Sequence, residues 1–203
     1  MKAIIRRGTE LVEDDLAEPV PGEGQALVST LVCGICGSDL HALHYLDHMI
    51  GLTRRAGGME TLDPAKDVVF GHEFCAEVLD YGPGCAGTLK PGTRVVSVPA
   101  AFGPQGSELV GYSNLYPGGF AERMVLQEAL LLPVPNGLDA ERAFQLAHFE
   151  QLPAVGRKHF DFERNSFSAD TYMRELIGGE MQTVLVNFCC RDFSFDGLIQ
   201  FKP

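Results

Sequence analysis

The 203-residue sequence has no tryptophan, no long apolar run and comparatively few basic residues. No apolar run approaches the roughly 20 residues that a membrane-spanning helix needs, which argues against a membrane protein. The 16 Lys and Arg residues are outnumbered by 27 Asp and Glu residues, so the formal charge is −11. Phosphate backbones repel such a chain, and nucleic acid is therefore not an expected partner.

The N-terminal segment lacks the apolar core of a signal peptide, because only three consecutive apolar residues precede Arg6. Six cysteines are also too few for a disulfide scaffold. We therefore expect a cytoplasmic protein whose clustered cysteines are metal ligands or buried apolar residues. Apolar residues make up 45% of the chain and charged residues 21%, which is typical of a folded protein with a core.

Short apolar runs separated by Gly and Pro fill the sequence from Met1 to about Pro135. Runs such as QALVSTLVCGI, FCAEVLDYG and GGFAERMVL predict the strands of a mainly β, partly open barrel. A short helix is expected at SDLHALHYL, with Ser38 or Asp39 as its cap and its three leucines at helical spacing.

The pattern of the sequence changes from short apolar runs to helical spacing near NGLDAERAF, where Asp139 can cap an amphipathic helix. We predict one domain over residues 1–150 and a short α/β tail over residues 151–203. Within the tail, the pattern predicts a helix that stops at Gly178, followed by a strand over Met181–Cys190.

Two short motifs contain residues that can bind a metal: CGICGSDLH, which begins at Cys33, and GHEF, which contains His72. A C-x-x-C pair alone is a weak signal, since a structural zinc site needs further ligands and the sequence has no second pair. The thiolate of Cys36 and the imidazole of His72, with carboxylates from Asp39 and Glu73 beside them, form a donor set that suits zinc. The alternative is that the thiol and the imidazole are simply buried in the barrel.

The motifs CGICGSDLH, GHEF, LKPGTRVV and GGFAERMVL, in this order, resemble the medium-chain, zinc-dependent alcohol dehydrogenase family. The resemblance runs from Met1 to about Arg142 and covers the GroES-like catalytic domain of that family. It implies a GroES-like barrel in which Cys36 and His72 bind Zn²⁺ and Glu73 approaches or ligates the metal. It also implies hydride transfer between an alcohol carbon and NAD(P), with zinc as Lewis acid.

The resemblance also implies roles for neighbouring residues. Asp39 would orient the ring of His72, Ser38 would hydrogen-bond the substrate alcohol, and His41 would pass the alcohol proton outward. Glu150, within FEQLPAVGR, aligns with a third zinc ligand of the family if one extra residue is allowed. The separate four-cysteine zinc site of the family has no counterpart, because AAFGPQGSELVGYSNLYPGG contains no cysteine.

Five other cysteines and histidines are expected to stay outside the metal site. The family uses only the second cysteine of the C-x-x-C pair, which favours a buried, structural Cys33. No ligand of the family falls at His44 or His48, so both should lie on an exposed helix face or loop. Cys75 and Cys85 belong to no motif and are expected to act as small apolar residues.

A nicotinamide site is not expected within these residues. GPGCAG, from Gly82, has the spacing of a dinucleotide fingerprint, but the following TLKPGTRVV predicts a turn into a strand instead of the required helix. The 151–203 tail is too short for a dinucleotide domain. We therefore expect a truncated or minimal family member that uses NAD(P) only if a nucleotide-binding domain comes from another chain.

Two alternatives to an enzyme remain open at this stage. The chain can be a non-enzymatic, zinc-binding GroES-like module, or a remnant that serves only in interactions. The expected partners are a small alcohol or carbonyl substrate, and either a second copy of the chain or another protein that covers the surface of the missing domain.

Overall fold

The computed structural model describes residues 1–55, 62–103, 106–135 and 137–144, together with three short strand segments between residues 160 and 199. Up to residue 144 the described residues form nine strands, one long helix, a 3-10 turn at Glu128–Leu130 and the start of a second helix at residues 140–144. In chain order these elements are β1 Lys2–Arg7, β2 Glu10–Asp15, β3 Gln25–Gly34, α1 Gly37–Arg55, β4 Glu73–Tyr81, β5 Arg94–Ser97, β6 Ala100–Gly103, β7 Gly106–Leu109, β8 Arg123–Gln127 and β9 Leu131–Pro133.

The ten-residue strand β3 is the centre of the main sheet. It pairs with β4 along one edge and with β8 along the other, and β4 continues the sheet through β5 to β9, always antiparallel. The β1–β2 hairpin forms a separate two-stranded sheet, and two isolated bridges, Ala3 with Ala121 and Arg6 with Val68, connect it to the segments that precede β8 and β4. The prediction of a mainly β, partly open barrel is confirmed.

The core lies between the main sheet, the β1–β2 hairpin and the inner face of α1. Its largest buried side chains are aromatic or long aliphatic groups, and burial of one such group contributes about 1.5–3 kcal/mol. They include Phe70, Phe74, Phe120, Ile5, Leu46 and Met124, each at most 2% exposed.

Helix α1 begins earlier than predicted. It starts at Gly37, so Cys36 is the residue that precedes the first turn and neither Ser38 nor Asp39 caps it. The carboxylate of Asp39 instead reaches back from the first turn and accepts the backbone N–H of Cys36 at 3.0 Å. This is the backward half of a capping box, which satisfies a donor that the helix leaves unpaired.

Helix α1 is also longer than predicted and is interrupted at Tyr45, whose φ of −128° and ψ of 33° are not helical. The buried positions Ala42, Leu46 and Ile50 repeat every four residues, whereas Leu40, expected on the inner face, is 44% exposed. Among the described residues, no helix is both long enough and apolar enough to cross a membrane.

A second helix begins at Ala140 and is described as far as Phe144. The carboxylate of Asp139 accepts the backbone N–H of Arg142 at 2.8 Å, so the predicted cap is confirmed. The start of this helix packs against a second apolar cluster that contains Cys75.

The described backbone of the tail consists of three two-residue strands. β10 Phe160–Asp161 pairs with β11 Ser166–Phe167, and β12 Leu198–Ile199 pairs antiparallel with the end of β3. The predicted helix ending at Gly178 and the predicted strand Met181–Cys190 lie outside the described residues. The division into residues 1–150 and 151–203 stays a prediction.

Candidate metal centre

The register of two strands brings the metal-binding motifs together. β3 ends at Gly34 and β4 begins at Glu73, and these two residues face each other in the antiparallel ladder. Cys36 lies two residues beyond the end of β3, and His72 lies one residue before β4. Antiparallel partners are about 5 Å apart, so the strand pairing places both side chains on the same small region although the loop 37–71 separates them.

Three potential ligand atoms meet at this edge of the sheet. One atom each from Cys36, His72 and Glu73 lie within 4.8 Å of one another. The Cys36 side chain is buried, whereas the other two are half-buried. This is the one such group of three or more found among the residues that the structure describes.

The backbone before His72 is fixed by the double glycine of GGFAERMVL. The N–H groups of Gly119 and Phe120 donate to the carbonyls of Gly71 and Phe70 at 2.7 and 3.0 Å. A Cβ atom on Gly118 would lie 2.4 Å from the Gly71 oxygen, and Gly71 itself has a φ of 98°. A side chain at either position would therefore push apart the segments that hold the imidazole.

The carboxylate of Asp39 connects the two principal ligands. It is 2% exposed, and one oxygen accepts the N–H of Cys36. The other oxygen lies 2.9 Å from the hydroxyl of Tyr112 and 3.3 Å from Nδ1 of His72. The contact with the ring does not meet the geometry of a hydrogen bond, so it is a charge contact between the carboxylate and the imidazole.

Opposing effects set the pKa of His72 in the metal-free protein. Burial lowers the pKa, but the neighbouring Asp39 and Cys36 raise it by more, to about 10. The ring therefore carries a proton at neutral pH unless a metal ion takes its place. Since Nδ1 faces Asp39, Nε2 is the nitrogen left for a metal.

The donor set fits zinc. A thiolate, an imidazole and a carboxylate are all common zinc ligands, and three protein ligands with one open position are typical of a catalytic site. Tetrahedral zinc places its donors about 3.5 Å apart, and the three donors, within 4.8 Å of one another, are close to that spacing. Glu150 lies outside the described residues, and its ligation stays a prediction.

The structure places the two predicted proton-transfer residues in different surroundings. Ser38 is half-buried in the first turn of α1, and its Oγ lies 3.0 Å from the hydroxyl of Tyr112. His41, one turn later, is half-buried among the exposed rings of Tyr45 and His48, at centroid distances of 5.1 and 6.2 Å. Their roles in catalysis stay predictions.

The remaining cysteines and histidines lie outside the group of three. Cys33 is fully buried in the core, and His44 and His48 are exposed, as predicted. Burial raises the pKa of the Cys75 thiol to about 12, in keeping with its predicted apolar role. Cys85 is half-buried, and its thiol lies 3.2 Å from a backbone carbonyl.

Tyr112 is the residue of this site that the sequence analysis missed. It is 5% exposed, and its ring lies 5.3 Å from that of His72 and 5.5 Å from that of Phe70. Burial, and next the charge of Asp39, raise the pKa of Tyr112, so the phenol keeps its proton. No motif or spacing in VGYSN marks the residue, because its contacts with Ser38 and Asp39 join positions more than 70 residues apart in the chain.

A comparison with protein families identifies the class of this domain. The family described as the alcohol dehydrogenase GroES-like domain matches residues 22–136, which is more than half of the chain and includes Cys36, His72 and Glu73. The chain therefore belongs to this family, and the resemblance noted in the sequence is confirmed.

Particular relatives share this domain. The chain is 36% identical over 137 residues to (R,R)-butanediol dehydrogenase of Bacillus subtilis, a match that covers 64% of the chain and 38% of the relative. It is 28% identical over 142 residues to the zinc-type alcohol dehydrogenase-like protein YphC of Escherichia coli, covering 63% and 38%. The solved structure of an NAD-dependent alcohol dehydrogenase matches with a TM-score of 0.52 at 25% identity, covering 71% and 42%. The chain thus spans about two fifths of the length of these relatives.

Proposed function

We propose that this chain is the metal-binding and proton-transferring part of a zinc-dependent alcohol dehydrogenase that acts on a small alcohol or the corresponding carbonyl compound. The observation that carries the proposal is the meeting of Cys36, His72 and Glu73 within 4.8 Å, with Asp39 against the imidazole. The relatives support the reaction class, since one is a butanediol dehydrogenase and another is an NAD-dependent alcohol dehydrogenase.

In this proposal each residue has a stated task. Cys36 and His72 hold the zinc ion, and Glu73 or Glu150 completes the set of protein ligands. A bound zinc ion supplies a Lewis acid that lowers the proton affinity of an alcohol oxygen. Ser38 accepts the hydrogen bond of the alcohol hydroxyl at the entrance of α1. His41 stands one turn along the helix, beside exposed rings, where it can pass a proton to water.

Hydride transfer needs a nicotinamide, and in this proposal NAD(P) binds to a nucleotide-binding domain that lies outside these 203 residues, in the same or in another polypeptide. The surface of the barrel that such a domain covers would otherwise bind a second copy of the chain or another partner. Among the described residues, the cysteines at positions 33, 36, 75 and 85 form no disulfide, which fits the proposed reducing, cytoplasmic setting.

Metal analysis of the purified chain tests the proposal. We expect stoichiometric zinc by mass spectrometry of the wild type, and a loss of most of the metal in Cys36→Ser and in His72→Ala. Two matched controls, Cys85→Ser and His44→Ala, replace the same residue types outside the site and should keep the zinc. A wild-type chain that binds no zinc after incubation with Zn²⁺ contradicts the proposal.

A chimera tests the reaction itself. The segment of Bacillus subtilis butanediol dehydrogenase that aligns with this chain would be exchanged for the chain, so that the relative provides the nucleotide-binding domain. We expect alcohol-dependent reduction of NAD⁺ that His72→Ala abolishes and His44→Ala leaves unchanged. A folded chimera that binds zinc and NAD⁺ but oxidises none of a panel of small alcohols favours the non-enzymatic zinc module instead.

A further inference from the structure

We propose that Tyr112 is a positioning residue of the metal centre, whose hydroxyl fixes the Asp39 carboxylate beside His72 and sets the direction in which the Ser38 hydroxyl points. The inference rests on the proposed function and goes further, because it assigns a residue that belongs to none of the motifs. It also assigns a preferred hydrogen-bonding partner to Ser38, namely an alcohol and not a carbonyl compound.

The direction of each hydrogen bond follows from the atoms present. An ionised carboxylate can only accept, so the contact of 2.9 Å between Tyr112 and Asp39 requires the phenol to donate its single proton. The oxygen of Tyr112 is then left as an acceptor, and Ser38, at 3.0 Å, donates to it. The lone pairs of the serine Oγ stay open to accept a hydrogen bond from an alcohol hydroxyl.

Both oxygens of the Asp39 carboxylate already have partners. One of its oxygens accepts the N–H of Cys36, and the other lies within reach of both Tyr112 and His72. The phenol thus holds the oxygen that faces the imidazole. A carboxylate on the far side of a ligating imidazole sets the orientation of the ring, so the phenol acts on the metal through Asp39.

The phenol ring is held in place by its own surroundings. It is packed against Phe70 and His72, and it is almost fully buried. The backbone N–H of Tyr112 donates to the Leu109 carbonyl at 2.9 Å. Replacement by phenylalanine would keep the ring contacts and remove the hydroxyl alone.

The test uses Co²⁺ as a coloured probe of the zinc site in the full chain. Tyr112→Phe should lower Co²⁺ affinity about 10-fold, in the range found for partners of metal ligands, and should alter the visible absorption of the bound ion. Tyr116→Phe is the matched control, because it removes a hydroxyl from the same loop. The Tyr116 hydroxyl contacts Gln25 and not the metal site. The control should bind Co²⁺ like the wild type, with the same spectrum.

Two further measurements examine the route of the effect. In an Asp39→Asn background, Tyr112→Phe should cause a smaller loss of Co²⁺ affinity than in the wild type, because the two residues act through one contact. Addition of a small alcohol should perturb the Co²⁺ spectrum with a dissociation constant about 2- to 10-fold higher in Tyr112→Phe. The corresponding ketone should show no such difference.

The outcomes separate this inference from the proposed function. A wild type that binds no Co²⁺ or Zn²⁺ overturns both. A wild type that binds the metal, with a Tyr112→Phe variant of equal affinity and identical spectrum, overturns the role of Tyr112 alone. If circular dichroism shows that the variant does not fold, the test uses NMR of the wild type labelled with ¹³C at the Cζ of its five tyrosines. One tyrosine resonance should shift when stoichiometric Zn²⁺ is added. The absence of any shift overturns the inference.

Discussion

Replacement of Asp39 by alanine should destabilise the metal-free protein strongly. The change removes two hydrogen bonds to the buried carboxylate, one from the N–H of Cys36 at 3.0 Å and one from the hydroxyl of Tyr112 at 2.9 Å. The loss of each bond to this buried carboxylate costs about 1–3 kcal/mol, so the expected loss is about 2–6 kcal/mol. Typical domains have only about 5–15 kcal/mol of stability in total.

The size of this loss should depend on pH because of His72. Next to Asp39 and Cys36 the pKa of its imidazole rises from 6.5 to about 10. A raised pKa stabilises the fold fully below the unfolded value, near pH 6.5, and this stabilisation disappears as the pH rises through 10. The difference in unfolding free energy between wild type and Asp39→Ala should therefore be largest near pH 6 and smaller at pH 10, where the two lost hydrogen bonds remain.

Urea unfolding in the presence of a chelator measures this difference. Far-ultraviolet circular dichroism is the suitable probe, since the sequence contains no tryptophan. Asp47→Ala is the control, because it removes an exposed carboxylate from the same helix. The charge of Asp47 acts on Arg6, so its loss should change stability by no more than about 1 kcal/mol. If Asp39→Ala unfolds at the same urea concentration as Asp47→Ala at pH 6, the Asp39 carboxylate does not hold the site together.

Three further predictions concern the backbone, the thiols and the metal. Gly118→Ala should destabilise the fold by more than about 2 kcal/mol and remove the zinc, since its Cβ would meet backbone atoms at 2.4 Å. The control is Gly51→Ala in helix α1, where no atom lies within 4 Å of the added Cβ, and it should be neutral or stabilising by up to about 1 kcal/mol. Equal melting temperatures for the two variants would contradict this prediction. In native protein, iodoacetamide should modify Cys85 well before Cys75, whose thiol is buried with a pKa of about 12; peptide mapping that finds the reverse order refutes the assignment. Zinc affinity should rise about tenfold per pH unit for each proton displaced, and the proton displaced from His72 should still contribute to this slope between pH 7 and pH 10; a competition titration whose slope drops by one proton per zinc near pH 7 would show an ordinary imidazole.

Local patterns in the sequence predicted most of the strands and drew attention to the three residues that meet at the candidate metal centre. Apolar runs between glycines and prolines marked β3 and β4 because side-chain alternation is a short-range property. The carboxylate of Asp139 was also predictable as a helix cap, since its partner lies three residues away. In contrast, the predicted start of α1 was wrong, because the Asp39 carboxylate accepts the backbone N–H of Cys36, which lies before it in the chain. This hydrogen bond depends on the burial of the carboxylate.

Contacts that depend on the register of distant strands could not be predicted. Nothing within the sequence fixes the pairing of Gly34 with Glu73, although this pairing determines the distance between the metal ligands. The contact of Tyr112 could not be predicted either, because its hydroxyl meets Asp39 across 73 positions of the chain. The resemblance to the family drew attention to the motifs, but only the fold reveals which tyrosine contacts their residues.

The pairing of Gly34 with Glu73 also has a consequence for diversification. The segment 37–71, which contains all of α1, begins shortly after β3 and ends shortly before β4, so the pairing of these two strands holds its two ends close together. Under the proposed function, insertions or deletions in that segment would change the residues around the substrate, whereas the spacing between the Cys36 thiol and the His72 imidazole would stay the same. Such a domain would then accept different molecules without a change in the candidate metal centre.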